Sequence, residues 1–229
     1  MTASVGVEPR PLSLRLREGT REAHEQVERA ADFNRLIVVR IPVAEGDSEA
    51  LAARARDEYR EVYRRFLIAA CGFEAAVNDA LTTSPARAAA IASGYAAEPA
   101  DPVTLIRDDL REVFGGAALE ELRPMAGLPA AESLATFAGI EYVRRGSRAG
   151  GAVIAAVVEA NLGLTRDRGA SFLAQYGKQT RAVLVALREW LDSLPLSETQ
   201  AREAVDSAAA TFAAVERWHL RIEGALARA

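Results

Sequence analysis

Two histidines occur in the 229 residues, so each can be weighed by its surroundings. His24 lies in Leu16-Arg-Glu-Gly-Thr-Arg-Glu-Ala-His24-Glu-Gln-Val-Glu28. On a 3.6-residue period Arg17 sits two turns before it, Arg21 one turn before it and Glu28 one turn after it. One helix face thus offers an imidazole, two cations on one side and a carboxylate on the other. An imidazole nitrogen can bind a metal, haem iron included, and cations ~10 Å away suit carboxylates at the edge of a bound macrocycle. Taken alone, a solvated face laced with charge pairs around a half-buried histidine is the commoner explanation. His219, beside Trp218, has no comparable surround and reads as a structural or surface histidine.

A second constellation is Glu141-Tyr-Val-Arg-Arg-Gly146-Ser147-Arg148-Ala149-Gly150-Gly151. Glycine costs about 1 kcal/mol inside a helix, so three within six positions need a reason. Gly146 and Gly150 are four apart and share a face. With Ala149 and Gly151 they strip side chains from one stretch of backbone, which lets a flat ligand or another helix come close. Small-residue helix packing explains the same pattern. A phosphate-cradling loop does not, because no Gly-Lys-Ser/Thr follows and no strand precedes. Further on, Tyr176, Lys178, Arg181 and Arg188 follow one another; Arg181 and Arg188, seven apart, share a stripe that could meet anionic groups or simply be solvated.

Other chemistries find no support. The sequence has no zinc-spaced Cys/His cluster, no Gly-x-Ser-x-Gly elbow and no dinucleotide fingerprint. Glu216-Arg-Trp-His219 matches a di-iron half-motif once, which is a chance-level event.

Helices must position these groups. Ala, Leu, Arg and Glu dominate, and aromatics make up 6%. Ser13 is expected to cap a helix running to about Ala31, and Asp47 or Ser48 to open another carrying Leu51, Tyr59, Val62, Phe66 and Phe73. Ser84-Pro85 and Asp101-Pro102 pair a cap with a first-turn proline, and Gly115-Gly116 stops the second of these helices. Ala130 to Ala160 reads as helix bent around its glycines and closed at Asn161-Leu-Gly163. A further helix is expected over Gly169–Leu194, and Ser197-Glu-Thr-Gln200 is a capping box for the last one. Leu36–Ile41 alone could be a short strand. Loops fall at Val43–Asp47, Gly94–Asp101 and Pro124–Ala130. The expectation is one all-α domain of seven to nine helices over residues 1–229.

Composition bounds the rest. Lys and Arg number 28 against 32 Asp and Glu, a net charge of −4. That is unsuited to holding a phosphate backbone, so no nucleic-acid partner is expected. A single cysteine, Cys71, permits no internal disulfide and fits a reducing compartment. No signal peptide is evident, and no run approaches the ~18 apolar residues that cross a bilayer. A cytoplasmic protein with no membrane partner is expected.

The segments combine into a resemblance. Leu16-Arg-Glu-Gly-Thr-Arg-Glu-Ala-His24 resembles the haem-ligand helix of the heme oxygenase family, especially its bacterial biliverdin-forming branch. Gly146-Ser147-Arg148-Ala149-Gly150-Gly151, after Tyr142-Val143, is similar to that family's distal helix. Phe66 to Phe73 takes the place of an aromatic-Gly-Phe helix, and the tail from Tyr176-Gly177 through Thr211-Phe212 and Trp218 is similar too. Together they span roughly residues 12 to 220.

The resemblance implies a helical bundle with haem, both cofactor and substrate, sandwiched between a proximal and a glycine-bent distal helix. His24 would be the metal ligand and Glu28 its orienting partner. Gly146, Ser147 and Gly150 would form the catalytic wall, with Gly151 and Phe212 also against the haem. Arg17, Arg21, Arg181 and Arg188 would hold its propionates. The implied reaction is O₂-dependent cleavage to biliverdin, CO and Fe²⁺. In the absence of a flavin or nicotinamide fingerprint, electrons would come from an external donor, a ferredoxin or reductase; a bilin-using photoreceptor or other biliverdin acceptor could follow. The chain departs from the pattern at Arg145, where many bacterial members carry Glu, and at Ser147, where animal members use an aspartate to organise distal water. Cys71 replaces a frequent aromatic, and Val38–Asp47 looks longer and more polar than usual. A non-catalytic haem-binding protein on the same fold and a cofactor-free helical interaction module are the competing readings.

Overall fold

The computed structural model describes residues 10–29, 31–41, 49–98 and 100–226. Among them ten α-helices form and no strand beyond isolated bridges at Thr165. They are α1 (Leu12–Gly19), α2 (Arg21–Arg29), α3 (Ala31–Val38), α4 (Glu49–Thr83), α5 (Arg87–Ala92), α6 (Pro102–Phe114), α7 (Leu134–Gly146), α8 (Arg148–Leu162), α9 (Thr180–Ser193) and α10 (Glu198–Leu226). The count exceeds seven to nine because the chain breaks its first helical stretch into short pieces. Leu36 to Val38 complete α3, so the strand expected at Leu36–Ile41 does not form. Asp47, Ser48 and the loop Val43–Asp47 lie outside the described residues.

The first break is local chemistry. The Thr20 hydroxyl donates to the Leu16 carbonyl at 2.7 Å, a back-bond that bends helices, and α2 starts afresh at Arg21. Ser13 is not the cap; Pro11 stands there instead. The Ser13 backbone N–H and hydroxyl both donate to the Asp192 carboxylate of α9, at 2.8 and 2.9 Å. A charged acceptor from a neighbouring helix satisfies a first-turn N–H better than a local hydroxyl can.

α4 is the axis of the bundle. At about 1.5 Å per residue its 35 residues reach about 50 Å. From Phe66 to Glu74 every side chain is buried, as befits a helix surrounded on all sides. Leu51, in its first turn, is 71% exposed and does not join the stripe. Against its middle packs α10, whose Trp218 indole N–H donates to the Ala69 carbonyl at 2.9 Å. α10 also crosses α7 closely: a Cβ at Gly139 would stand 2.4 Å from the Ala204 carbonyl oxygen. One hydrophobic cluster includes buried side chains from all ten helices.

Most start and stop signals hold. Asp101 accepts from the Val103 and Thr104 N–H groups, Pro102 occupies the first turn, and Gly115 ends α6 at φ +81°. Ser133 forms a capping box with Thr136, Gly163 closes α8 in the left-handed region, and Ser197 with Gln200 opens α10. Ser84 accepts from the Ala86 N–H in a turn, and α5 begins only at Arg87. The helix expected over Gly169–Leu194 starts at Thr180 instead. Gly169 sits at φ +78°, and the buried Asp109 carboxylate of α6 takes the Ser171 and Phe172 N–H groups, both at 2.9 Å. Those donors are held by α6, and residues 171–176 form turns instead of helix.

Candidate functional site

One cavity of about 440 Å³ brings both sequence constellations together. His24, Val27 and Glu28 from α2 line it, as do Gly146 to Gly151 at the α7–α8 junction. Phe33 and Ile37 from α3, Phe66 and Phe73 from α4, Ile154 from α8, Phe172 and Leu173, and Phe212 and Val215 from α10 supply an apolar wall. A cavity lined mainly by such groups with a few convergent polar ones is the usual form of a small-ligand site.

His24 is half exposed, and its Nδ1 faces Glu28 Oε1 at 3.7 Å, a charge-pair rather than hydrogen-bond distance. Its ring stands edge-on to Phe212, with centroids 5.3 Å apart and an interplanar angle of 83°. Phe212 thereby limits the tilt of the imidazole, while Nε2 is turned from Glu28. No three potential metal ligands gather among the described residues, so His24 would bind a metal as a lone protein ligand.

The distal wall is bare for a stated geometric reason. A Cβ built at Gly146 or Gly150 meets nothing within 4 Å, so both would project into open space. Gly151 differs: a Cβ there would stand 2.9 Å from the Leu173 carbonyl oxygen, so this glycine permits close packing of the turn segment on α8. Ser147 makes the bend. Its hydroxyl donates to the Arg144 carbonyl at 2.7 Å, and its own carbonyl accepts the Gly150 N–H at 3.2 Å.

Behind that wall lies an ion network that the sequence reading did not single out. Glu74 of α4 pairs with Arg144 at 3.0 Å and Arg148 at 2.8 Å. Glu141 pairs with Arg145 at 2.5 Å and Arg144 at 3.7 Å, and Glu98 approaches Arg148 at 3.7 Å. Arg148 also stacks over Phe172, 4.7 Å from its centroid. Burial opposes charge on Arg144, but Glu74, Glu141 and Glu98 outweigh it and hold the guanidinium above its ordinary range. Complete burial pushes the Glu141 carboxyl up against the pull of Arg145 and Arg144. Arg145 does not line the cavity: it stacks on Tyr95, 5.2 Å from the centroid, and donates to the Ala96 carbonyl. The charge change expected at the pocket rim is therefore absorbed by an internal pair.

Arg17, Arg21, Arg181 and Arg188 also lie outside the cavity lining, and all four are exposed. Two of them converge. Burial raises the Tyr142 phenol, while a hydrogen bond from the Thr20 side and the charges of Arg17 and Arg188 oppose the rise. Tyr142 is one helical turn before Gly146, so the charges of Arg17 and Arg188 are felt on the helix that leads to the bare wall. Arg17 lies in α1 and His24 in α2, on either side of the break at Thr20, so the two-turn spacing of one continuous helix does not apply to them.

Of the two readings left open for His219, structural or surface, the structure gives the buried one. It is 7% exposed, it borders the cavity, and burial lowers its pKa to about 4. Helical spacing from Phe212 and Val215 was the available signal.

No helix of the described residues is long and apolar enough to cross a membrane. No curated protein matches the chain by sequence. The heme oxygenase family model matches residues 116–221. Among solved structures, heme oxygenase-1 of the cyanobacterium Synechocystis in complex with heme superposes with a TM-score of 0.71 at 19% identity, over 96% of this chain and 95% of that one. The heme oxygenase of Leptospira interrogans follows at 0.68 and 19%, over 92% and 98%. The NO- and CO-bound enzyme of Neisseria meningitidis gives 0.67 and 20%, over 94% of each chain. The family match thus covers the C-terminal part of the chain, and nearly the whole chain shares the fold of these heme oxygenase structures.

Proposed function

We propose that this chain is a heme oxygenase, which binds haem in the cavity between α2 and α8 and cleaves it with O₂ to biliverdin, CO and Fe²⁺. The observation that carries the reading is the meeting of one imidazole and two Cβ-free helical positions on a single apolar cavity. Bound haem would supply both the iron that takes up O₂ and the macrocycle that is cut. Electrons would come from an external ferredoxin or reductase, and a biliverdin acceptor such as a bilin-using photoreceptor would take the product.

Each residue then has a task. His24 would hold the iron through Nε2, with Glu28 beside Nδ1 setting the tautomer and the ring angle. Gly146 and Gly150 leave room for a small iron ligand to lie against the backbone, room that any side chain would fill. The Ser147 hydroxyl is spent on the Arg144 carbonyl, so its oxygen is left as an acceptor, and protons would have to come from water entering the cavity. Arg17 and Arg188, gathered at Tyr142, would meet the haem carboxylates and so set which edge of the ring faces the distal wall. Arg21 and Arg181 serve this reading only as further cations of the exposed surface. The whole chain acts as one domain, with its core over about residues 12–220. The buried, free thiol of Cys71 suits the reducing cytoplasm.

Haem titration into the apo-protein, followed by reductant under air, tests the reading. A one-to-one Soret shift and then a biliverdin spectrum are expected. Stable haem under reductant would leave a binding protein only, and no Soret shift would remove the haem site altogether.

A further inference from the structure

Gln175, Tyr176, Thr180 and His219 line the cavity without a task in the reaction above, and His219 is the one that comes from the last helix. His219 borders it from α10, one turn beyond Val215 and two beyond Phe212. Its ring lies 6.3 Å from that of Phe66; no protein hydrogen bond to it is found among the described residues, and its nitrogens are not among the fully enclosed unpartnered atoms. The charged groups around it are otherwise engaged. Asp32 of α3 is held by Arg65 of α4 through Oδ1 at 2.7 Å and Oδ2 at 2.5 Å. Glu223 of α10 accepts the Asp32 backbone N–H at 3.0 Å. Neither carboxylate comes within ion-pair distance of the imidazole.

A neutral imidazole carries one N–H donor and one acceptor lone pair, and buried polar groups normally find partners. Phenylalanine would fill the same space without leaving either unmet, as Phe66 and Phe212 do nearby. The two sides of the cavity explain which ligand could meet them. His24 and Glu28 are about half exposed, at 46% and 47%, whereas His219 is enclosed. A haem seated with its carboxylates toward water would show only C–H, methyl and vinyl groups to the enclosed side. That edge offers nothing to an imidazole. The open-chain product differs from haem by two lactam carbonyls on the cut edge and by pyrrole N–H groups freed of iron, which offer both acceptors and donors.

We infer that His219 is a specificity-determining residue that hydrogen-bonds the oxygenated, open-chain tetrapyrrole and makes no polar contact with haem. The inference rests on the haem-cleaving reading and names the polar contact by which the same cavity distinguishes product from substrate.

Equilibrium titration of the full apo-chain with haem and, separately, with biliverdin tests it without turnover. His219→Phe is expected to leave the haem Kd within about twofold and to raise the biliverdin Kd about tenfold, with His219→Gln restoring most of the loss. Thermal unfolding of each variant checks that the fold is kept, and His219→Leu, equally without a polar atom, carries the test should the Phe variant fail to fold. Equal losses for both ligands, or no loss for either, would overturn the assignment while leaving the haem site standing. So would an altered ferric haem spectrum in His219→Phe, which would make His219 an iron ligand. A wild-type chain that binds neither tetrapyrrole would remove the haem reading and this inference with it.

Discussion

Arg148 of α8 and Glu74 of α4 form an ion pair at 2.8 Å with side chains only 5% and 1% exposed. Through it the first turn of the distal helix is tied to the bundle axis, and Arg144 reaches the same carboxylate from the end of α7 at 3.0 Å. The bend at Ser147 thus has a charged clamp on either side.

Glu74→Ala should leave two buried guanidiniums without their shared partner. Removing one side of a buried pair costs about 3–5 kcal/mol, a large part of a domain's net stability. Denaturant unfolding of the apo-protein should show this as a lower midpoint. An unchanged midpoint would mean that Glu98 and Glu141 compensate fully.

Gly150→Ala should separate stability from function. The new methyl points into open space, and replacing a helical glycine by alanine contributes up to about 1 kcal/mol, or about 2–4 °C in Tm for a chain of this size. Gly150→Leu should fold as well and still take up haem, yet lose most oxygenation, because its side chain fills the distal space. Calorimetry and a biliverdin turnover assay measure the two effects; wild-type turnover in the Leu variant would refute the role of the bare wall.

Glu28→Gln keeps the size of the side chain and removes its charge beside Nδ1 of His24. Outer partners of a metal-bound imidazole are typically worth about 10–100-fold in metal affinity or activity. Haem affinity should fall by about tenfold, and His24→Ala should abolish normal axial ligation. Absorbance titrations and the ferric spectrum record both.

Acid should weaken the apo-fold through His219. Burial lowers its folded pKa to about 4 from an ordinary 6.5. Below pH 6.5 the unfolded chain takes a proton that the folded chain refuses, so stability falls as pH drops from about 6.5 to about 4 and then levels. The loss from this group is about 3 kcal/mol at one pKa unit per about 1.4 kcal/mol. His219→Phe should flatten that part of the profile in urea unfolding measured across the range.

The all-helical class, the caps at Asp101 and Ser197, and the stops at Gly115 and Gly163 follow from residue types close together in the chain, and the structure reproduces each of them. Elements governed by distant partners did not read out. Asp192 holds the start of α1, and Asp109 holds residues 171 and 172 out of a helix that local propensity favours. His219 sits between Trp218 and Leu220 with Arg217 and Arg221 beyond them, and only the packing of α10 turns it toward the cavity beside Phe66.

His24, Glu28 and the spacing of Gly146 and Gly150 were legible because ligand chemistry and helical periodicity are properties of the chain itself. That these groups share one cavity, that Gly151 serves packing while its neighbours stay open, and that three arginines turn inward to three carboxylates depend on how helices far apart in sequence pack. The physical reason is range: caps and periodicity act over a few residues, whereas burial and pairing are set by whichever surfaces the fold brings into contact.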